Sequence, residues 1–280
     1  VKETAGGLPA VISAWKHGVS KMGFVGSTVS LGKANQKRGF DCPGCAWPDP
    51  KHRSPFEYCE NGAKAVSDEA TIKTIPDSFW QEHSIHALGR KSDQWLNSQG
   101  RLSRPLILER DSNHYVPSDW DRAIGIIAKS LDALEDPNDA YFYTSGRASN
   151  EAAYLWQLLA RQYGTNNLPD CSNMCHESSG VALNESIGIG KGTVRLEDFD
   201  KADLIVIVGQ NPGTNHPRML SALKSAKKSG ASVLSINPLK ETGMRRFRHP
   251  QSPIDMLGAG TQISDDHVNI KILSLIHISE

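Results

Sequence analysis

Cys175 and His176 stand side by side within TNNLPDCSNMCHESSG, residues 165–180, at what reads as the start of a helix. A thiolate binds metal and an adjacent imidazole accepts a proton, so the pair suits redox chemistry at a metal. Cys171 lies four residues earlier, one helical turn away. A helix N-terminus favours the thiolate form. On spacing alone, a disulfide between the two cysteines or a buried structural cysteine competes with ligation.

A second constellation is Cys42, Cys45 and Cys59. Thiolates two residues apart on a Pro/Gly turn reach one metal, as in zinc and iron–sulfur sites. The segment GFDCPGCAWPDPKHRSP (39–55) carries too much Pro and Gly for regular structure and is expected to be a loop. A structural zinc knuckle and uncommitted cysteines are the competing readings.

The elements that must position these groups follow from pattern. Ser118 is expected to cap a helix over 118–134, whose apolar positions Trp120, Ala123, Ile124, Ile127, Leu131 and Leu134 share one face. A short strand over 140–145 and a helix over 148–164 follow. DLIVIVG (203–209) is a continuous β-branched run, the mark of a strand buried on both faces. A helix over 216–230 with Gly230 at its C-terminus leads into a strand over 232–237, so the two strands are parallel with a right-handed crossover. The fold expected is α/β, with a doubly wound parallel-sheet domain over 116–272 behind an irregular and helical cysteine-bearing region over 1–115. In the latter, 11–22 and 76–88 have helical spacing, with Pro76 in the first turn of the second.

Ligands in such sheets bind beyond the carboxyl ends of the strands. GQNPGTNHPRM (209–219), INPLKETG (236–243) and TSGRASNE (144–151) lie there. Gly209 and Gly213 allow close backbone approach, Asn211, Thr214 and Asn215 offer hydrogen bonds, and a helix starting near His216 aims free amides at a phosphate. Three polar loops suit one large polar ligand of nucleotide size; three ordinary Gly/Asn turns are the alternative. With no GxGxxG, a plain NAD site is not supported.

Composition narrows the classes further. The 31 basic and 31 acidic residues cancel, so no field for nucleic acid or an anionic membrane is expected. No apolar run approaches the roughly 20 residues that span a bilayer. Five cysteines, two of them as Cys42-x2-Cys45, do not make a secreted disulfide framework and point to a reducing, cytoplasmic compartment. The last eight residues, LSLIHISE (273–280), fit nothing before them and resemble the conceptual translation of a sequencing adapter; the natural chain is expected to continue from about 270.

NNLPDCSNMCHESSG is similar to the signature of the formate-dehydrogenase-like molybdopterin oxidoreductases. In that signature Asn-Asn is followed by a Cys- or selenocysteine-His pair and a Ser, here Asn166-Asn167, Cys175-His176 and Ser179. SGRASNEAAYLWQLLARQYGTNN resembles the segment just upstream, GQNPGTNHP the G-x-N-P-x-x-x-H-P loop, and INPLKETG the D-P-R-x-x-E-T loop with Asn237 in place of Asp. FDCPGCAWPDP and CENGAKA resemble the formate dehydrogenase alpha subunit-like branch. The resemblance implies an N-terminal part of an enzyme that oxidises formate or a similar small substrate by two electrons. Its cofactors would be molybdenum bis(molybdopterin guanine dinucleotide) and a 4Fe-4S cluster. Cys175 would be the metal ligand and His176 the proton acceptor, with Cys42, Cys45 and Cys59 on the cluster. Lys64 resembles the lysine between cluster and pterin. Ser145, Arg147, Asn150, Glu151, Asn167, Gly209, Asn211, Thr214, His216 and Asn237 would face the pterin cofactor. Where the family spaces its cluster ligands C-x2-C-x3-C, the third position here is Asp49. Two rival readings are a non-catalytic stress-related protein that keeps the fold and a zinc-stabilised nucleotide-binding module. These residues alone are expected to hold molybdenum cofactor poorly.

Overall fold

The computed structural model describes residues 3–45, 47–146, 148–169 and 175–269. Its contacts divide the chain into two compact units, Val1–Ile72 with Val194–Glu280, and Lys73–Thr193.

The first unit holds the α/β core. Strands Leu204–Val208, Ser232–Ile236 and Asp266–Val268 form a parallel sheet with Ser232–Ile236 in the centre. Helix Met219–Lys228 makes the crossover between the first two and buries Leu220 and Leu223 in one cluster with Ile207, Val233, Met244 and Ile263. Fully burying a side chain of this size contributes roughly 1.5–3 kcal/mol, so this cluster is what holds the parallel sheet and its helix together. The helix starts at Met219, three residues later than expected, because the short helix Pro212–Asn215 and its exit at His216 take up the preceding turn.

Leu204–Val208 departs from expectation. It is an edge strand, and only one face is covered: Ile207 is 4% exposed while Leu204 is 59% exposed. The unbroken apolar run does not mean burial on both faces within the described residues.

A smaller sheet ties the two ends of the unit together, with Ala5–Gly6 parallel to Arg246–Arg248 and the latter antiparallel to Thr261–Gln262. Helix Gly7–Lys33 is longer than its periodicity predicts and is broken at Gly23, where φ 73 and ψ 174 leave the helical region. Across that break Gly18 meets Ser27 and Leu31. The resulting pair packs Ala14, Met22 and Leu31 on Ala63 and Val66 of helix Glu60–Glu69, the element that carries Lys64.

The second unit is mostly helical. The 76–88 pattern resolves into Asp77–Glu82 and Ile85–Gly89, with Pro76 as the cap residue rather than inside the first turn. Asp119, not Ser118, caps helix Trp120–Asp132: its carboxylate accepts from the Arg122 N–H at 2.7 Å. The face expected to be buried leaves Trp120, Ile124 and Ile127 exposed, since no described residue of this unit covers it. The strand expected over 140–145 does not form, Thr144 alone having a bridge; the Phe142 N–H donates to the Asn167 carbonyl at 2.9 Å, and Ala140 and Phe142 pack on Ala160. Helix Asn150–Tyr163, capped by Ser149 and closed by Gly164 at φ 111, forms as expected.

Candidate functional site

Three thiols gather at the start of helix Glu60–Glu69. Cys59 is the cap residue, and its Sγ accepts from the Gly62 N–H at 3.3 Å. A Cβ placed on Gly62 would lie 3.1 Å from the Cys42 Sγ and 3.7 Å from the Cys59 Sγ, so the glycine leaves the room in which the two sulfurs meet. Burial pushes the Cys59 thiol up; the Gly62 N–H opposes this, and neighbouring Cys42 and Cys45 raise it further. All three are free thiols. Among the described residues no group of three His, Cys, Asp or Glu converges as a preformed single-ion site. A multi-iron cluster asks instead for thiolates spread around it.

Asp49, at the family's third cysteine position, is committed elsewhere. Its Oδ1 accepts from Arg218 Nη2 at 2.8 Å and its Oδ2 pairs with Arg53 at 3.0 Å. Arg218 also donates to Glu57 Oε1 at 2.9 Å. These two carboxylates raise the Arg218 pKa against the burial that would lower it. Neither Arg218 nor this pairing was among the sequence candidates. The available signal is an arginine placed directly before a buried helix face, which must find carboxylates.

The loop after strand Leu204–Val208 meets the cysteine region directly. Asn61 Nδ2 donates to the Thr214 carbonyl at 2.6 Å, and the His216 ring stacks on Trp47 with centroids 5.8 Å apart and planes 5° from parallel. Burial holds His216 below the ordinary imidazole range. Gly213 makes its close approach to Gly243 backbone, where a Cβ would sit 3.0 Å from the Gly243 Cα. That contact joins the 209–219 and 236–243 loops. Gly209 turns the chain at the strand end with φ 66. Asn211 heads the helix Pro212–Asn215. Asn237 is buried and donates to the Leu239 carbonyl at 2.8 Å. Lys64 pairs with Glu60 at 2.7 Å. A cavity of about 1020 Å³ opens beside this region, lined among others by Trp47, Cys59, Asn61, Gly213 and Arg218.

The remaining candidates lie in the second unit. Cys175 is exposed with a free thiol, and His176 is the cap residue of helix Glu177–Ile187, its side chain making no capping bond. Asn167 spends its amide on the Asn138 carbonyl at 2.6 Å, while its own carbonyl holds Phe142. Ser145 is exposed in the turn before helix Asn150–Tyr163, and Asn150 and Glu151 occupy the first turn of that helix. Arg147, Cys171 and the 273–280 tail lie outside the described residues. No helix among the described residues is long and apolar enough to cross a membrane.

A family model described as molybdopterin oxidoreductase matches residues 101–278. An uncharacterized oxidoreductase of Mycobacterium tuberculosis is 53% identical over 272 residues, 97% of this chain and 35% of that protein. Protein YdeP of Escherichia coli is 49% identical over 269 residues, 96% of this chain and 35% of YdeP. A Staphylococcus aureus protein with a provisional name as a formate dehydrogenase is 30% identical over 232 residues, 78% of this chain and 23% of that protein. The chain thus spans 35% of the length of the first two relatives.

Proposed function

The chain belongs to the molybdopterin oxidoreductase family, and from that membership we propose that it forms part of a formate dehydrogenase-like enzyme. The cofactors of this reading are molybdenum bis(molybdopterin guanine dinucleotide) and a 4Fe-4S cluster. When bound, they supply two-electron oxidation of the substrate and one-electron export. Cys175 is the protein's ligand to the metal, and its exposed free thiol at a helix start is available for it. His176, next in sequence and with no capping bond to hold it, takes the substrate proton on its ring. Cys42, Cys45 and Cys59 hold the cluster, and the glycine-lined turn that brings Cys42 and Cys59 sulfurs together supports that role.

The 209–219 and 236–243 loops, joined at Gly213 and Gly243, bind the polar end of the pterin cofactor through Gly209, Asn211, Thr214 and Asn237. Ser145, Arg147, Asn150, Glu151 and Asn167 are the further residues that this reading assigns to the pterin cofactor. The substrate is formate or a similarly small molecule, and the 30% identity to the Staphylococcus aureus protein supports that class.

The observation that carries the reading is the Cys175-His176 pair at the start of a helix in a chain of this family. Metal and sulfide analysis of the intact protein, purified without oxygen, tests it beside Cys175→Ala. The expected result is molybdenum with iron and sulfide, and formate-to-dye activity that disappears in the variant. Iron without molybdenum would favour the non-catalytic scaffold. Zinc alone would remove both.

A further inference from the structure

We propose that Asp49 is a positioning residue and not an iron ligand: with Glu57 it clamps the Arg218 guanidinium, and that clamp sets the separation of Cys45 and Cys59. The inference rests on the reading that these cysteines bind the cluster. Asp49 follows Cys45 by four residues and Glu57 precedes Cys59 by two, so one guanidinium grips both ends of the intervening loop.

Both oxygens of Asp49 are engaged, one by Arg218 and the other by Arg53. Glu57 is equally committed. Its Oε1 takes Arg218, and its Oε2 accepts from the Ser54 N–H at 3.0 Å and the Ser54 hydroxyl at 2.9 Å. The side chains are largely withdrawn from water, with Arg218 10% exposed, Glu57 15% and Asp49 19%. Taking Asp49 out of this group to ligate iron would leave a buried guanidinium with half its compensation, an arrangement that is costly.

The clamp also reaches Cys42. The Asn35 side chain accepts from the Cys42 N–H at 2.8 Å and donates to the Glu57 carbonyl at 2.7 Å. Asn35 is buried and held at φ 56, a conformation asparagine tolerates better than most residues. A chain of hydrogen bonds therefore runs from Cys42 through Asn35 and Glu57 to Arg218 and Asp49, fixing the segments that carry all three thiols. Both carboxylates take the same nitrogen, Arg218 Nη2, while Nη1 donates to the Trp47 carbonyl at 3.4 Å, so the one guanidinium ties three points of the segment between Cys45 and Cys59.

The test uses the intact protein, purified and reconstituted without oxygen, with Asp49→Asn, Arg218→Gln, the milder Glu57→Gln, and the double variant Asp49→Asn/Arg218→Gln. Asp49→Asn should keep the wild-type iron and sulfide content. The electron paramagnetic resonance signal of the reduced cluster should shift in the same direction in Asp49→Asn, Glu57→Gln and Arg218→Gln, a change that loss of global stability alone would not produce. The urea midpoint should fall in each single variant, and in the double variant by less than the sum of the Asp49→Asn and Arg218→Gln shifts, the Asp49–Arg53 pair being the part that does not depend on Arg218. Crosslinking of Cys45 to Cys59 by a bifunctional thiol reagent in the iron-free protein should slow severalfold in all three single variants. Loss of about one iron per cluster in Asp49→Asn, with an unaltered signal in Arg218→Gln, would make Asp49 a ligand and overturn the proposal. Additive midpoints or unchanged crosslinking would overturn the clamp. Wild-type protein without iron would sink the cluster reading instead, and the crosslinking rates would then decide the clamp by themselves.

Discussion

Gly62 shows how one missing side chain can matter to two thiols at once. It sits in helix Glu60–Glu69, where Ala in place of Gly should gain up to about 1 kcal/mol of helix propensity. Against that stands a new Cβ 3.1 Å from the Cys42 Sγ. The Cys42 side chain can swing away from it, so the iron-free protein with Gly62→Ala should be as stable as wild type, or slightly more so. Swinging away is what the proposed cluster site cannot accept, because Cys42 and Cys59 must face the same space. Iron and sulfide incorporated per chain should therefore fall severalfold while the urea midpoint holds, and the two assays on one preparation decide it. The cysteines themselves were legible from their spacing; Gly62 was not, since its role exists only once the Cys42 loop is folded against the helix start. Arg218 is the same case at longer range. Its partners Asp49 and Glu57 lie 169 and 161 positions away, beyond any local pattern.

Helix ends are a finer matter than helix faces, as the start of Trp120–Asp132 illustrates. Ser118 and Asp119 are both good cap residues by type. The carboxylate of Asp119 takes the Arg122 N–H, whereas the Ser118 hydroxyl is buried with no hydrogen-bond partner among the described residues. Asp119→Ala should thus cost about 1 kcal/mol, and Ser118→Ala should be neutral or mildly stabilising because it removes an unsatisfied polar group. Urea denaturation of the two variants would show whether the order is as stated. The elements that sequence pattern placed best, Asn150–Tyr163 and Ser232–Ile236, have unambiguous stops or a run of alternating burial. Those it misjudged are the ones whose fate depends on a neighbour. Leu204–Val208 reads as doubly buried because it is uniformly apolar, yet it lies at a sheet edge with Leu204, Val206 and Val208 exposed. Residues 140–145 have the composition of a strand, yet only Thr144 has a bridge and no strand forms.

At the level of the whole molecule, the α/β unit is assembled from both ends of the chain, with Ala5–Gly6 paired to Arg246–Arg248, so its stability depends on contacts that no contiguous stretch contains. One such contact should be visible as a pH dependence. Asp265 precedes the third parallel strand; its Oδ2 accepts from the Val233 N–H at 2.8 Å and from Lys227 at 2.7 Å. The Lys227 ammonium first, and the Val233 N–H second, hold the Asp265 carboxyl below the usual range. A carboxyl depressed in the folded state stabilises it above the unfolded pKa, near 3.9. That contribution is lost as pH falls through the lower folded value, where the native state must also take up the proton. The Asp265 side chain is 46% exposed and screened by water, so the pair's worth is below about 1 kcal/mol. Asp265→Asn keeps an oxygen for Val233 but no charge for Lys227. It should lower the urea midpoint slightly at pH 7, and the difference should vanish as pH falls below the depressed pKa of the folded state, so that the wild-type and variant curves converge on acidification. Curves that stay parallel from neutral pH to the acid limit would show that Asp265 contributes shape alone, and that other carboxylates set the acid limit of this unit.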